Sequence, residues 1–366
     1  MKAVIPCAKK EKSLFPFTES MPTGMIPVMG KPIVKHLIHD LQENGVDDIY
    51  LVTNYREDTF RQEFEEFTNV NTITQEQMNG TGGAVERCSF IEEDFIVVNG
   101  DVVTSSRDIE RLIQKHENSD SSATVLAATE DNPEKFGVLS INDDRVERLV
   151  EKPEEPENSL VNTGVYVFSP EIFDVLSDME GEKELTGAVQ KFVEREESRF
   201  RMVENYWIDI GRLKKLWKAD RVKREHMIEG TRIHEKAEVA ETAEIDGEAV
   251  VGKGAEIGPG AVLEGKVFIG ENARIGPETV VSNSSVSDSC KLRNCGINGS
   301  LLFENCIIDD NVSVEDSVLG EDVDVKSNTA IRESFIGPRS FVELNNSIYG
   351  VKFVPDARTD LGEISK

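Results

Sequence analysis

The sequence predicts an α/β protein in which a Rossmann-like, mostly parallel sheet wrapped by helices is followed by a left-handed parallel β-helix. Three observations lead there. Up to about residue 211, short apolar runs alternate with amphipathic stretches. Three of the strand-like segments end in charged groups, at Asn99-Gly100-Asp101, Glu151-Lys152-Pro153 and Trp207-Ile208-Asp209-Ile210-Gly211. From Ile233 onward, aliphatic residues recur every six positions.

Taken in order, the apolar runs 3–5, 49–53, 95–98, 124–127 and 165–168 have the length and β-branched content of buried strands. Between them, 33–42 and 109–116 show helical spacing, and Gly45 and Gly100 punctuate their neighbourhoods. Strands alternating with helices make a mostly parallel sheet, and ligands of such sheets sit beyond the strand ends. Residues 212–227 read as a connecting helix, with Leu213, Leu216, Trp217 and Val222 on one face.

The period then changes. Ile233, Val239, Ile245, Val251, Ile257, Leu263, Ile269, Ile275 and Val281 stand at unbroken six-residue intervals. Four positions after the first eight come Ala237, Ala243, Ala249, Ala255, Ala261, Val267, Ala273 and Thr279. Six matches neither helix nor flat strand, but it fits a coil with three hexapeptide sides. The aliphatic points inward, the small residue takes the crowded corner, and Gly252, Gly258, Gly270 and Gly276 are expected to relax the turns. After Val281 the register loosens, with Ile308, Val314, Val325 and Ile331 as later rungs. The expected domains are 1–228, including the connecting helix, and 229–350; 351–366 has no clear repeat and reads as a tail or cap.

With 69 acidic against 41 basic side chains, the formal charge of −28 disfavours nucleic acid and anionic membranes as partners. Solvated Glu-rich faces and adaptation to a high-salt cytoplasm both account for the acidity. The five cysteines are odd in number and lack Cys-x-x-Cys spacing, so buried free thiols are expected rather than disulfides or zinc. The run 3–7 is too brief for a signal-peptide core and no 18-residue apolar stretch follows, so a cytoplasmic location is expected.

The three charged strand ends, in this order, resemble those of the sugar-1-phosphate nucleotidylyltransferases, of the glucose-1-phosphate thymidylyl- or uridylyltransferase or mannose-1-phosphate guanylyltransferase type. The resemblance covers nearly the whole chain, including the hexapeptide repeats. It implies that a nucleoside triphosphate and a sugar 1-phosphate give a nucleotide sugar and pyrophosphate. It also implies that Asp101 and Asp209 hold one Mg²⁺, since carboxylates from two strand ends suit a hard cation. The plainer alternative is that Asp101 closes an Asn-Gly-Asp turn and Asp209 caps the following helix. Glu151 and Lys152, adjacent on a strand, are expected to face different ways, the Glu on sugar hydroxyls and the catalytic Lys on the sugar phosphate. Phe136-Gly137-Val138 and Asn162-Thr163-Gly164 stand at matching places and assign Gly137 and Asn162 to the sugar. The segment 75–84, Gln-Glu-Gln-Met-Asn-Gly-Thr-Gly-Gly-Ala, resembles the base-recognition loop, which assigns Gln75 and Gly80 to the nucleobase. A Gly-rich turn opening a helix is the alternative.

One part departs from the family pattern. The family's Gly-x-Gly-Thr-Arg-Leu and later Pro-Lys-Pro are here Lys9-Lys10-Glu11-Lys12-Ser13-Leu14 and Pro22-Thr23-Gly24. Lys9 and Glu11 stand at the glycines, Ser13 at the arginine, and Thr23 at the lysine. Side chains there block close backbone approach, and Glu11 adds like charge beside a triphosphate. Lys9, Lys10 and Lys12 offer partial replacement. Impaired transferase activity is therefore expected, and the alternative is a non-catalytic regulatory subunit of an active paralogue that binds sugar phosphate, nucleotide or nucleotide sugar. Acyl transfer by the β-helix is disfavoured, because His36, His39, His116, His226 and His234 leave no histidine in the coils from Ile245 onward. The coils are expected to serve assembly, as a homo-oligomer or a hetero-oligomer with that paralogue.

Overall fold

The computed structural model of the protein describes residues 1–359. Its contacts divide it into two units. One comprises Met1–Lys10, Pro22–Met25 and Ile33–Asp209; the other comprises Glu11–Met21, Ile26–Pro32 and the chain from Ile210 onward. The connecting helix therefore groups with the coils, and so do two short pieces of the N-terminal region.

The first unit is built on a nine-stranded sheet. Its order is Val70–Thr74, Asp48–Thr53, Lys2–Pro6, Phe95–Val98, Leu160–Phe168, Ala123–Thr129, Ser198–Met202, Arg145–Glu151 and Gly137–Asn142. The first four run parallel. Leu160–Phe168 is antiparallel to both its neighbours, Ser198–Met202 is again parallel to Ala123–Thr129, and the last two strands form a hairpin. Phe95–Val98 is buried along its length, as a central strand covered on both faces must be. The two-residue period divides the core accordingly. Val4 and Val97 enter one apolar cluster, while Ala3, Ile5, Ile96 and Val98 enter the other. Among the covering helices, Ser106–Glu117 starts where the Ser105 side chain accepts a hydrogen bond from the Asp108 N–H.

In the second unit, helix Leu213–Met227 leads into stacked coils. Each early coil uses eighteen residues, so that Glu244 lies beside Val262 and Val262 beside Val280. Beyond Val280 the coil shortens: Val280 pairs with Gly296, Gly296 with Ser313 and Ser313 with Ala330. That is why the strict six-residue period fades while Ile308, Val314, Val325 and Ile331 all remain fully buried. The interior is one continuous column from Ala249 to Phe353. Cys290 and Cys306 take corner positions in it, and all five cysteines are buried free thiols.

Two local expectations need correcting. Gly252, Gly258, Gly270 and Gly276 are not the left-handed positions; a Cβ on Gly258 would lie 2.9 Å from the backbone of Gly276, so these residues allow close stacking. The left-handed corner falls two residues later, at Gly254 and Gly260 and then at Asn272, Asn283, Asn294, Asn305, Asn311, Asn328 and Asn345. Asn311 and Asn328 donate onward to Asn328 and Asn345 at 3.3 and 3.2 Å. The connecting helix buries Leu213 and Leu216 of the apolar face expected, and polar residues beside them. Asp220, Lys223 and Arg224 are buried, whereas Trp217 and Val222 are only half-buried. Arg224 Nε donates to Asp220 Oδ2 at 3.0 Å, Arg224 Nη1 to the Lys266 carbonyl at 2.9 Å, and Met29 N–H to Asp220 Oδ1 at 2.8 Å. Polar burial is tolerated there because each charge has directed partners. Phe17, fully buried, has its ring centroid 5.0 Å from that of Phe303.

Lys352 and Arg358 each form an isolated parallel bridge to the last full coil, and Phe353 is buried. Of the segment expected as tail or cap, residues 360–366 lie outside the described residues. Among the described residues no helix is long and apolar enough to cross a membrane.

Candidate active site

The centre of the site is the turn after Phe95–Val98. Gly100 N–H donates to the Pro6 carbonyl at 3.0 Å and Asn99 N–H to the Gly164 carbonyl at 2.9 Å, pinning the turn to two neighbouring strand ends. A Cβ on Gly100 would stand 2.4 Å from Cys7 Sγ, so only glycine fits that approach. Asp101 follows. The Cys7 thiol is pushed far above its ordinary range, first by burial and then by the Asp101 carboxylate, which fixes that charge beside the end of Lys2–Pro6. Strand Trp207–Asp209 pairs antiparallel with Val102–Thr104, and Asp209 stands across from Val102. Asp101 and Asp209 are thereby brought to one end of one strand pair. The helix that follows has Arg212, not Asp209, at its cap position and no side-chain bond there.

Trp207 joins this end to the second cluster, because its Nε1–H donates to the Thr163 carbonyl at 2.9 Å and its ring meets Phe136 edge-on at 5.6 Å. Gly137 lies opposite Glu151 in the terminal hairpin. A Cβ on Gly137 would be 3.1 Å from Thr186 and 3.2 Å from Glu151 Oε2, so the glycine leaves room for that carboxylate. Glu151 and Lys152 do not face different ways as expected. Lys152 has left-handed backbone, φ +44°, which swings its ammonium back to 2.9 Å from Glu151 Oε1. Its N–H donates to the Phe136 carbonyl, and its side chain stays exposed.

Asn162 is buried, with Nδ2 donating to the Tyr166 hydroxyl at 2.5 Å and Oδ1 accepting from Gly164 N–H at 3.1 Å. The Tyr166 phenol is raised well above its usual range by burial; the Asn162 bond opposes this, and Glu151 and Glu184 add to it. Tyr166, Glu184 and Thr186 were not singled out from sequence. Strand alternation does not mark Tyr166, because Leu160–Phe168 carries an irregularity between Asn162 and Tyr166 and Gly164 is left-handed. Thr186 has a buried hydroxyl without a hydrogen-bond partner among the described residues.

Gln75 is also buried, and its Nε2 donates to Asn79 Oδ1 and to the Gly80 carbonyl, both at 3.1 Å. Gly80 has φ +96°, and a Cβ there would lie 2.5 Å from the Lys183 carbonyl oxygen. Gln75 and Gly80 are thus brought together within one loop that also bonds Lys183 through Asn79 and Gly82.

The stretch at the family's glycine-rich position closes on itself. Glu11 Oε1 accepts from Ser13 N–H at 3.1 Å and lies 2.9 Å from Ser13 Oγ, capping the short turn Lys12–Leu14. Ser13 Oγ also reaches the Gly211 carbonyl, and Thr18 Oγ1 donates to the Glu11 carbonyl at 3.0 Å. A backbone N–H of this loop is therefore occupied by an internal carboxylate.

The nucleotidyl transferase family model matches residues 7–225, and the GMPPB C-terminal domain model matches 245–353. The "Bifunctional protein GlmU" of Methanocaldococcus jannaschii is 30% identical over 261 residues, covering 70% of this chain and 61% of that protein. The protein of the same name from Methanococcus maripaludis strain DSM 14266 is 34% identical over 263 residues, with the same coverages. The "Probable mannose-1-phosphate guanylyltransferase 3" of rice is 33% identical over 154 residues, 39% of this chain and 42% of that one. A solved structure titled as a putative glucose-1-phosphate thymidylyltransferase from Bacillus anthracis in complex with a sucrose superposes with a TM-score of 0.58 at 26% identity. It covers 62% of this chain and 96% of that one. The chain spans about three fifths of the length of the archaeal relatives it matches. Proteins of this type use divalent metal ions. With the family model matching more than half of its length, the chain belongs to the nucleotidyl transferase family.

Proposed function

We propose that the protein is a sugar-1-phosphate nucleotidylyltransferase-type protein of nucleotide-sugar synthesis, with a complete sugar-phosphate side and an impaired triphosphate side. In this reading Gly137, Glu151 and Asn162 hold the sugar, Lys152 contacts its phosphate, and Gln75 and Gly80 select the base. Two carboxylates converging from neighbouring strands form an oxygen donor set that fits a hard divalent cation, and we assign Mg²⁺ to Asp101 and Asp209. The ion would neutralise phosphate charge.

The observation that carries the impairment is the Glu11 carboxylate on the Ser13 N–H, where the family pattern has glycines. A carboxylate there both consumes a donor and repels phosphate. It equally favours the second reading, a non-catalytic subunit that senses sugar phosphate or nucleotide sugar for an active paralogue. Calorimetry with Mg²⁺ separates the ligands: sugar 1-phosphate or nucleotide sugar is expected to bind at least ten-fold more tightly than free nucleoside triphosphate. Triphosphate binding as tight as that of the sugar ligands, or rapid pyrophosphate release by the unaltered protein, would reject the impairment.

Asp101→Asn is expected to weaken Mg²⁺-dependent ligand binding by at least about ten-fold, because the carboxylate supplies charge to the cation rather than packing. Titration of the variant with and without Mg²⁺ is the check, and an unchanged Mg²⁺ dependence removes the metal assignment.

A further inference from the structure

We infer that Lys183 is a positioning residue for base selection, which holds the loop around Gln75 and Gly80 in shape from 97 positions beyond Glu86. The inference rests on the reading that Gln75 and Gly80 meet the nucleobase. Helix Thr81–Glu86 opens directly from that loop, and Gly80 at its cap position has no side chain to accept the first N–H groups. Lys183 supplies what the cap lacks. Its carbonyl accepts from Gly82 N–H at 2.7 Å, and its own N–H donates to the Asn79 carbonyl at 2.7 Å. Its ammonium lies 2.7 and 2.9 Å from the two carboxylate oxygens of Glu86, the last residue of the same helix. One residue thus holds the loop before the helix and the far end of the helix itself. The Lys183 side chain is only 13% exposed, so this charge-assisted pair is shielded from the water that weakens surface ion pairs.

The loop is shaped to receive it. A Cβ on Gly80 would lie 2.5 Å from the Lys183 carbonyl oxygen, and one on Gly82 would lie 2.7 Å from it, so both glycines make room for Lys183. Asn79, whose carbonyl takes the Lys183 N–H, accepts from Gln75 Nε2 on its side chain at 3.1 Å. Lys183 therefore bears on the residue that orients the Gln75 amide, and an amide discriminates between base edges only when its orientation is fixed. The other end of the attachment is anchored on packed structure. Thr81 Oγ1 donates to Glu184 Oε2 at 2.8 Å and accepts from Leu185 N–H at 3.2 Å. Leu185 is buried and begins helix Leu185–Glu194, whose Gln190 Oε1 accepts from Leu149 N–H at 2.9 Å in the hairpin that carries Gly137 and Glu151.

Two measurements on the full chain test this: amide hydrogen exchange without ligand, and calorimetry with Mg²⁺ and the glucose diphosphates of uridine, guanosine, adenosine and thymidine. In Lys183→Met the amides of residues 79–84 are expected to exchange about ten-fold faster than in the parent, as local opening there becomes easier. The affinity ratio between the best and worst base should fall about ten-fold, because the Gln75 amide is no longer held in one orientation. Glucose 1-phosphate affinity should stay within about two-fold, since the hairpin and its helix keep their own packing. Glu86→Gln should reproduce both losses, and Lys183→Arg, which keeps a cation there, should retain most of the base preference. Unchanged exchange in Lys183→Met overturns the inference. Faster exchange with the base preference intact also overturns it, because Lys183 would then serve stability alone, and so does a Lys183→Arg variant as indiscriminate as Lys183→Met. A parent that binds all four bases alike rejects the base assignment of Gln75 and Gly80 itself, and the selectivity role of Lys183 falls with it; the exchange measurement still decides whether Lys183 holds the loop.

Discussion

Exchanging Lys9→Gly, Glu11→Gly, Ser13→Arg and Thr23→Lys together is expected to raise turnover of a nucleoside triphosphate and a sugar 1-phosphate by roughly two to three orders of magnitude. That is the usual effect of restoring a single well-placed charge or donor to a transition state. Three changes act in the same direction. Removing the Glu11 side chain releases the Ser13 N–H that it now holds at 3.1 Å. It also removes a negative charge from the loop, and the two exchanged side chains return an arginine and a lysine to the positions the family pattern gives them. Glu11→Gly alone should recover the smaller part, since it frees the donor without adding a cation. Pyrophosphate release is the readout, with triphosphate affinity measured alongside. A folded four-fold variant with no gain in either quantity would show that the loop is not what limits the site.

Asp220→Ala is expected to destabilise the β-helical unit by about 3–5 kcal/mol, the range for breaking a buried pair from one side. The carboxylate accepts from both Arg224 and the Met29 N–H, and its removal strands a buried guanidinium and a backbone donor together. Replacing the pair, with Asp220→Leu and Arg224→Met, should cost clearly less, because no uncompensated charge remains. The orphaned Met29 N–H and Lys266 carbonyl would still cost about 1–3 kcal/mol each. Thermal and urea unfolding of the single and double variants distinguish the two cases. A single variant within 1 kcal/mol of the parent would mean that the pair contributes little.

The fold was legible where a physical period repeats. Nine aliphatics at six-residue spacing dictate stacked sides, and every one from Val251 to Val281 is buried. The candidate site was legible where a turn residue follows an apolar run, as at Asp101, since strand ends of one sheet gather at one edge. What the sequence hid depends on distant contacts. Ser13 meets Gly211 across 198 positions, and nothing in the local pattern of residues 11–21 marks it as part of the unit that holds the coils. The Glu151–Lys152 pairing was hidden because strand alternation presumes ordinary backbone, and Lys152 is left-handed. The asparagine corners were hidden because glycine was taken as the conformational marker. A short polar side chain that tolerates positive φ serves equally well there.

The shortening of the coil also separates chain length from registration. Between Val280 and Gly296 the chain uses two residues fewer than in the coil before, yet Val281 and Ile297 remain stacked in the interior. Slack is taken up at the corners, while the ladder hydrogen bonds and the inward column stay in phase. Single-residue deletions that fall at a corner are therefore expected to leave the architecture intact, whereas one within a strand inverts the side chains that follow it in that strand. A lineage can trim such a domain by single residues and keep both its interior and its flat outer faces aligned.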